Sequence, residues 1–164
     1  MGKRGFSLIE LMIVALIILV IAAIAIPNLL RSKMAANESS AVATLRVLNN
    51  AEVTYNMTYN SGYSDGLNEL GPPAVGQQPT YLSADLVDSN LAGEEALGSN
   101  AGFVKSGYTF TYNHTGSLPA VSYYSFNGDP LARGSSGQRS FFTDEPLVIR
   151  GNATAQATRS DNPI

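Results

Sequence analysis

The chain has 164 residues, a formal charge of −3 and only 14% charged side chains, which suits one modest domain with an appendage. This mildly acidic composition lacks the basic footprint of a nucleic-acid-binding protein, so no nucleic-acid partner is predicted. The absence of cysteine excludes disulfide bonds and thiolate chemistry.

The first predicted element is an apolar helix long enough to cross a membrane. Residues 6–26 form a run of 21, about 31 Å as a helix, which matches the roughly 30 Å hydrocarbon core of a bilayer. Lys3 and Arg4 precede the run and place the N-terminus in the cytoplasm, so the rest of the chain is expected to face outward. Arg31 and Lys33, which follow the run, weaken this signal of orientation.

A cleaved secretory signal peptide is the alternative interpretation of this segment. The basic pair before the run would form its charged region, and AIA at 23–25 would form its small-x-small cleavage site. Against it, the apolar run is slightly long, Glu10 interrupts the start of the run, and helical patterning continues past Pro27.

The start of the run combines KRG at 3–5, FSLIELMIV at 6–14 and, further on, Pro27 at the end of AAIAIP. This combination resembles the prepilin N-terminus, which is shared by bacterial type IV pilins and type II secretion pseudopilins. The signal is the combination of a short basic leader, a glycine, a phenylalanine, a glutamate four residues later and an unbroken apolar span. This combination is specific to the family, whereas each feature alone would be weak evidence for it. The resemblance is strong over residues 1–60 and weak beyond them.

The resemblance implies that residues 1–5 are a leader, which a membrane prepilin peptidase removes by cutting between Gly5 and Phe6. The same enzyme would methylate the new amine of Phe6. In the family, the acid that matches Glu10 pairs with an N-terminal amine during assembly. The partners implied are identical subunits, minor pilins, membrane lipid before assembly, and an inner-membrane platform with a cytoplasmic ATPase.

The spacing of Phe6 and Glu10 agrees with this role. The two residues stand at i and i+4, so they share one helix face, and Glu10 lies near the first turn, where the helix dipole favours an anion. A buried acid with a cationic partner is far less costly than a lone one. The alternative is that Glu10 merely reaches the lipid headgroups.

An amphipathic stretch of helix is predicted after Pro27. Pro27 should bend or locally melt the helix, or alternatively end it, but residues 28–61 contain no further proline or glycine. One helix is therefore expected over 6–61, with Gly62 as its C-cap. Its apolar stripe, spaced by three, four or seven, comprises Leu30, Met34, Ala41, Leu45, Leu48, Ala51, Tyr55 and Tyr59.

The remaining chain is predicted to form a loop, a short helix and an antiparallel sheet. Glycines and prolines indicate a loop over 62–80, and SADLVDSNL at 83–91 suggests a helix capped by Ser83. The polar tail at 151–164 is expected to be poorly packed. Alternation of period two predicts strands at 107–113, 120–128, 139–144 and 147–151.

We predict no catalytic residue, no cofactor and no metal ligand. His114 is the single histidine, and we interpret it as a solvated loop residue because no second histidine or cysteine completes a zinc or nucleophile set. Asn127, Asp129, Asp144 and Glu145 supply oxygens that calcium could use. Their spacing matches no calcium loop, so we interpret them as turn formers.

The fold class is predicted as α+β, with a long N-terminal helix on a small antiparallel β-sheet head. We expect a leader at 1–5, a transmembrane and filament-core segment at 6–27, an amphipathic continuation at 28–61, and the head with its tail at 62–164. The resemblance implies a non-enzymatic subunit of a type IV pilus-like filament, held in the inner membrane before assembly and at the surface or in the periplasm afterwards.

Two alternatives stay open. The chain could be a major pseudopilin of a type II secretion system, or a membrane-tethered or secreted binding domain that does not polymerise. Many type IV pilins close a C-terminal loop with two cysteines, which this chain lacks, so the loop architecture of the head is expected to differ.

Overall fold

A computed structural model of the protein describes residues 5–93, 102–116 and 121–164. It shows a long helix, α1, packed on a five-stranded sheet, so the α+β prediction is confirmed. The elements in chain order are α1 (Leu8–Tyr59), α2 (Leu67–Leu70), β1 (Gly102–Lys105), β2 (Tyr108–Thr115), β3 (Tyr123–Pro130), β4 (Ser140–Asp144) and β5 (Arg150–Asn152).

Helix α1 runs without interruption through Pro27, so the alternative that Pro27 ends the helix is wrong. Its C-cap is Asn60, in the left-handed conformation with φ of 50°, and the Asn60 N–H donates to the Asn56 carbonyl at 3.0 Å. The prediction of Gly62 as C-cap was therefore off by two residues. Asparagine tolerates the left-handed region, and here it ends the helix before a glycine is needed.

The buried face of α1 begins only at Ala41. The predicted stripe is confirmed from there to Tyr55, whereas Leu30, at 49% exposed, is not part of the core. The buried residues of the helix are Ala41, Thr44, Leu45, Leu48, Asn49, Ala51, Glu52 and Tyr55. The first 33 residues of α1, Leu8 to Ser40, thus form no part of the buried core of the described molecule.

The sheet is an antiparallel meander in which each strand pairs with the next one in the chain. The alternation predicted for β2 is confirmed, because Tyr108, Phe110 and Tyr112 are buried and the residues between them are less so. Together with aromatic residues of β3 and β4, they form the core that the second half of α1 covers. Strand β1 was not predicted, because its four residues GFVK are too few to show a period.

Asn49 fixes α1 against the middle of the sheet. Its Nδ2 donates to Thr143 Oγ1 at 2.8 Å, and Tyr124 Oη donates to its Oδ1 at 3.3 Å. Because an unpaired buried amide is costly, this arrangement favours one register of the helix on the sheet.

The C-terminal tail is hydrogen-bonded to the head, although among residues 151–164 only Ala157 is buried, as a poorly packed tail predicts. The Ile164 N–H donates to the Ile149 carbonyl at 3.1 Å, and Asn127 Nδ2 donates to the carbonyl of Ala157, which is buried. The polar composition that suggested disorder instead supplies donors and acceptors to β3 and to the chain around β5.

The helix predicted at 83–91 is absent from the structure. Asp85 has a positive φ of 56°, and the Ala84 N–H donates to the Glu69 carbonyl at 2.7 Å. The start of this segment thus bonds to α2, and only its end forms a local turn, in which the Leu91 N–H donates to the Asp88 carbonyl at 3.0 Å. The helical pattern failed because a competing partner for the backbone lay outside the segment.

A shortened chain that begins at Asn28 is expected to be soluble, monomeric and mixed α/β by circular dichroism. All buried residues of α1 lie at Ala41 or later, so the core is complete in this chain. A chain that begins at Asn50 is the control: it lacks Ala41, Leu45 and Leu48 and should be unfolded. Unfolded or persistently aggregated protein from the Asn28 start would show that the apolar half belongs to the core.

Candidate processing and assembly segment

The predicted cleavage point lies in exposed, non-helical backbone. Gly5, Phe6 and Ser7 precede α1, and the Phe6 side chain is 82% exposed. A Cβ built at Gly5 would meet no atom within 4 Å. Residues 1–4, which include the basic pair of the leader, lie outside the described residues.

Glu10 occupies the third position of the first helical turn. The Ser7 backbone N–H donates to Glu10 Oε2 at 2.8 Å, and Ser7 has the extended backbone of an N-cap residue, with φ of −75° and ψ of 143°. The carboxylate therefore satisfies one of the donors that a helix start leaves free. It also places negative charge where the helix dipole favours it.

The first half of α1 presents an apolar surface on all sides. An 18-residue stretch of it is long and apolar enough to cross a membrane, and none of that stretch is buried inside the molecule. Large apolar side chains are exposed almost continuously from residue 8 to residue 30. So large an exposed apolar surface marks contact with a membrane or with other protein, which suits a membrane anchor.

Pro27 lies inside this apolar half. Proline lacks an N–H, so the carbonyl of Ala23, four residues earlier, has no helical donor at this position. The predicted bend at Pro27 stays a prediction.

Glu38 of α1 forms a set of polar contacts with the head, just before the buried face of the helix begins. The Glu38 carboxylate accepts hydrogen bonds from the Gln138 N–H at 2.9 Å, from the Arg139 N–H at 3.1 Å and from Arg139 Nε at 2.9 Å. Partial burial opposes ionisation, but these hydrogen bonds outweigh it and lower the pKa of Glu38. The Glu38 carboxylate is therefore charged at neutral pH.

Sequence reasoning missed a second polar feature of α1, the buried Glu52. It lies four residues after Leu48 and three before Tyr55, on the same helix face. An acid inside an otherwise apolar stripe was the signal that could have revealed it.

His114 is not the solvated loop residue that was predicted. It belongs to β2, its side chain is 13% exposed, and its Nδ1 lies 3.6 Å from Asp65 Oδ1 and 3.1 Å from the Gly116 carbonyl oxygen. Strand β2 ends at Thr115, two residues later than the pattern suggested, and Gly116 follows it.

The four oxygen-bearing residues considered for calcium bind other parts of the chain. Asn127 donates to the tail, and Asp129 Oδ2 accepts from Gln156 Nε2 at 2.8 Å. Asp144 Oδ2 lies 3.1 Å from Arg159 Nε, and Glu145 Oε1 lies 3.9 Å from Arg159 Nη2. Their role in the structure is to hold the tail on the head.

Comparison with known proteins supports the resemblance at the N-terminus. The family model described as "Prokaryotic N-terminal methylation motif" matches residues 1–26. The type IV major pilin protein PilA of Myxococcus xanthus (strain DK1622) is 44% identical over 69 residues, which are 42% of this chain and 31% of that protein. The resemblance to a prepilin N-terminus is thus confirmed.

The type II secretion system core protein G of Escherichia coli (strain K12) is 40% identical over 55 residues, which are 34% of this chain and 38% of that protein. The chain therefore covers about a third of the length of each of these two relatives. No solved structure matches the chain.

Proposed function

We propose that this chain is the structural subunit of a type IV pilus-like filament, which polymerises through the apolar half of α1. The observation that carries the proposal is the exposed apolar start of α1, which lies largely within the matched methylation motif and has one acid in its first turn. A soluble protein gains nothing from such a surface. A subunit that moves from lipid into a bundle of helices needs it in both places.

In this proposal a prepilin peptidase removes residues 1–5, and Phe6 becomes the methylated N-terminus. The subunit waits in the inner membrane as a single-pass protein with its N-terminus in the cytoplasm and its head outside. Segment 6–27 then forms the core of the filament, segment 28–61 continues the helix, and 62–164 forms the head. An inner-membrane platform, a cytoplasmic ATPase and minor pilins act as assembly partners, and the filament lies at the cell surface or in the periplasm.

A major pseudopilin of a type II secretion system is the second candidate. It is favoured by the similarity to core protein G, which is comparable in identity to the similarity to the pilin. Deletion of the gene decides between the two. Loss of surface fibres that contain this subunit supports the pilin, whereas loss of enzyme export with no change in surface fibres supports the pseudopilin.

The mature protein is expected to begin at Phe6 and to carry one added methyl group. The physical reason is that Gly5 and Phe6 lie in open backbone just ahead of the helix. Intact mass spectrometry of the native protein measures this, and the same protein from cells without prepilin peptidase should retain residues 1–5. A mature protein that begins at Ile26 would instead establish the secretory-signal alternative.

A further inference from the structure

A cluster of buried carboxyl groups joins α1 to the segment that follows it. The Glu52 cluster consists of Glu52 on α1, Ser64 and Asp65 in the loop, Glu69 on α2, and Tyr112 and His114 on β2. Glu52 Oε2 accepts from the Ser64 N–H at 3.0 Å, and Glu69 Oε2 accepts from the Asp65 N–H at 2.8 Å. Two buried acids thus hold two consecutive amides of a loop that has no regular structure of its own.

The hydrogen bonds around Glu52 allow it to hold a proton. Ser64 Oγ lies 2.7 Å from Glu52 Oε1 and 3.3 Å from Tyr112 Oη, while Tyr112 Oη donates to the Ser64 carbonyl at 2.7 Å. When Glu52 is ionised, the Ser64 hydroxyl donates to it. When Glu52 is protonated, Oε1–H donates to Ser64 Oγ, whose own proton turns to Tyr112 Oη. No hydrogen bond is lost.

Glu69 has the same property. Tyr55 Oη lies 2.7 Å from the Tyr81 carbonyl oxygen and 3.1 Å from Glu69 Oε2, so one hydroxyl proton faces two acceptors. While Glu69 is ionised both oxygens can only accept, so the single Tyr55 proton satisfies just one of them. A proton on Glu69 would then complete the bond between Glu69 and Tyr55.

The cluster has little positive charge to balance its three carboxyl groups. In the described part of the chain no lysine or arginine pairs with Glu52, Asp65 or Glu69, and His114 is the one basic group beside Asp65. An uncompensated buried carboxylate is strongly unfavourable. The groups that face Glu52 and Glu69 are Tyr55 from α1, Tyr63 and Asp65 from the loop, Tyr112 and His114 from β2, and Tyr124 from β3.

We propose that the Glu52 cluster is a pH-sensitive junction, which holds residues 61–71 against α1 while Glu52 is protonated and loosens when Glu52 ionises. Burial raises the pKa of Glu52 to about 7, against the hydrogen bonds from Ser64 and Tyr112 that lower it, and nearby Glu69 raises it further. Burial likewise raises the pKa of Glu69.

The direction of the effect follows from these raised pKa values. An acid that binds its proton more tightly in the closed state stabilises that state at low pH, and the stabilisation is lost as pH rises through its pKa. A rise from 4.5 to about 7 corresponds to a change of about 300-fold in the opening equilibrium. The contact between residues 61–71 and α1 is therefore most stable in mild acid and becomes less stable as the pH rises toward neutral. A carboxylate in an ion pair has the opposite effect, since its stabilisation is lost as the pH falls.

The test is amide hydrogen exchange of the full chain in detergent micelles, read by mass spectrometry for peptides that cover residues 61–66. Protection, after division by the intrinsic rate at each pH, should fall by about 70-fold between about pH 5 and about pH 8, which is the part of the full change that lies in this window. Peptides from β4 serve as the internal reference, since that strand contributes no residue to the Glu52 cluster.

Glu52→Gln tests the cause, because the amide keeps the shape and both hydrogen bonds but cannot ionise. It should keep residues 61–66 more protected at about pH 8 than in the unmodified protein, and leave only the smaller pH dependence that Glu69 contributes. Glu38→Gln is the matched control on the same helix, where the pKa is lowered, and it should leave that dependence unchanged. Equal protection of the unmodified protein at both pH values overturns the proposal, and so does a pH dependence that is undiminished in Glu52→Gln.

Discussion

Replacing Glu10 by leucine is expected to leave synthesis, membrane insertion and cleavage between Gly5 and Phe6 largely intact, and to abolish or greatly reduce incorporation into filaments. In the proposed function, cleavage between Gly5 and Phe6 creates a cation at Phe6, about one helical turn from the Glu10 carboxylate. In a growing bundle, the amine of an incoming subunit can pair with Glu10 of a subunit already in place. That pairing favours one axial register, because a slipped register buries two unpaired charges.

The size of the expected assembly defect follows from the free energy lost when a buried ion pair is broken, which is about 3–5 kcal/mol. That cost at every subunit is sufficient to exclude assembly. The measurement is the ratio of sheared filament subunit to membrane-held subunit, for the unmodified chain and for Glu10→Leu, each expressed alone.

Glu10→Gln separates the charge from the hydrogen bond at the helix start. Glutamine can still accept from the Ser7 N–H, as it does in capping boxes, but it offers no charge to an amine. We expect Glu10→Gln to assemble as poorly as Glu10→Leu. Normal filaments from both variants would mean that apolar packing alone sets the register, whereas normal filaments from Glu10→Gln alone would assign Glu10 a capping role.

Gly62→Ala is expected to destabilise the head strongly, with a loss of about 3 kcal/mol or more. Gly62 has φ of +83° and forms a parallel bridge with Val121, and a Cβ at this position would collide with the Val121 carbonyl oxygen. The next amide, Tyr63 N–H, donates to that same oxygen at 3.0 Å. The carbonyl therefore cannot move away without loss of this hydrogen bond.

Gly76→Ala is the matched control for backbone strain. Gly76 has a similar φ of +85°, but a Cβ there meets nothing within 4 Å, so only the strain of about 1–2 kcal/mol should appear. Urea unfolding of the full chain in detergent micelles measures both variants. Equal losses for the two would show that the contact with Val121 relaxes at no cost.

The long elements of this fold could be predicted from sequence because each has many residues in one period. Helix α1 shows its stripe from Ala41 to Tyr55, and β2 shows its alternation from Tyr108 to Tyr112. In both elements one face is buried against the protein core and the other is not, and such one-sided burial produces a periodic pattern of apolar residues.

The short and irregular parts could not be predicted, since their partners lie far away in the sequence. The segment at 83–91 bonds to α2, and the tail bonds to β3 and to Ile149. The candidate assembly residues at the N-terminus were found because the leader, Phe6 and Glu10 stand within ten residues. The role of Glu52 could not be predicted because its hydrogen-bond partners, Ser64 and Tyr112, lie beside it only in the folded protein.

The late start of the buried face on α1 has a mechanical consequence for the proposed filament. The hydrogen bonds between the helix and the head begin at Asn37, whose Nδ2 donates to the Ser136 carbonyl at 2.7 Å, and the buried contacts begin at Ala41. Tension along a bundle of such helices would pass from one apolar half to the next, and the sheet would lie outside the path of the force. The head would then carry no tensile load. Substitutions on the surface of the filament could therefore accumulate without weakening the bundle of helices inside it.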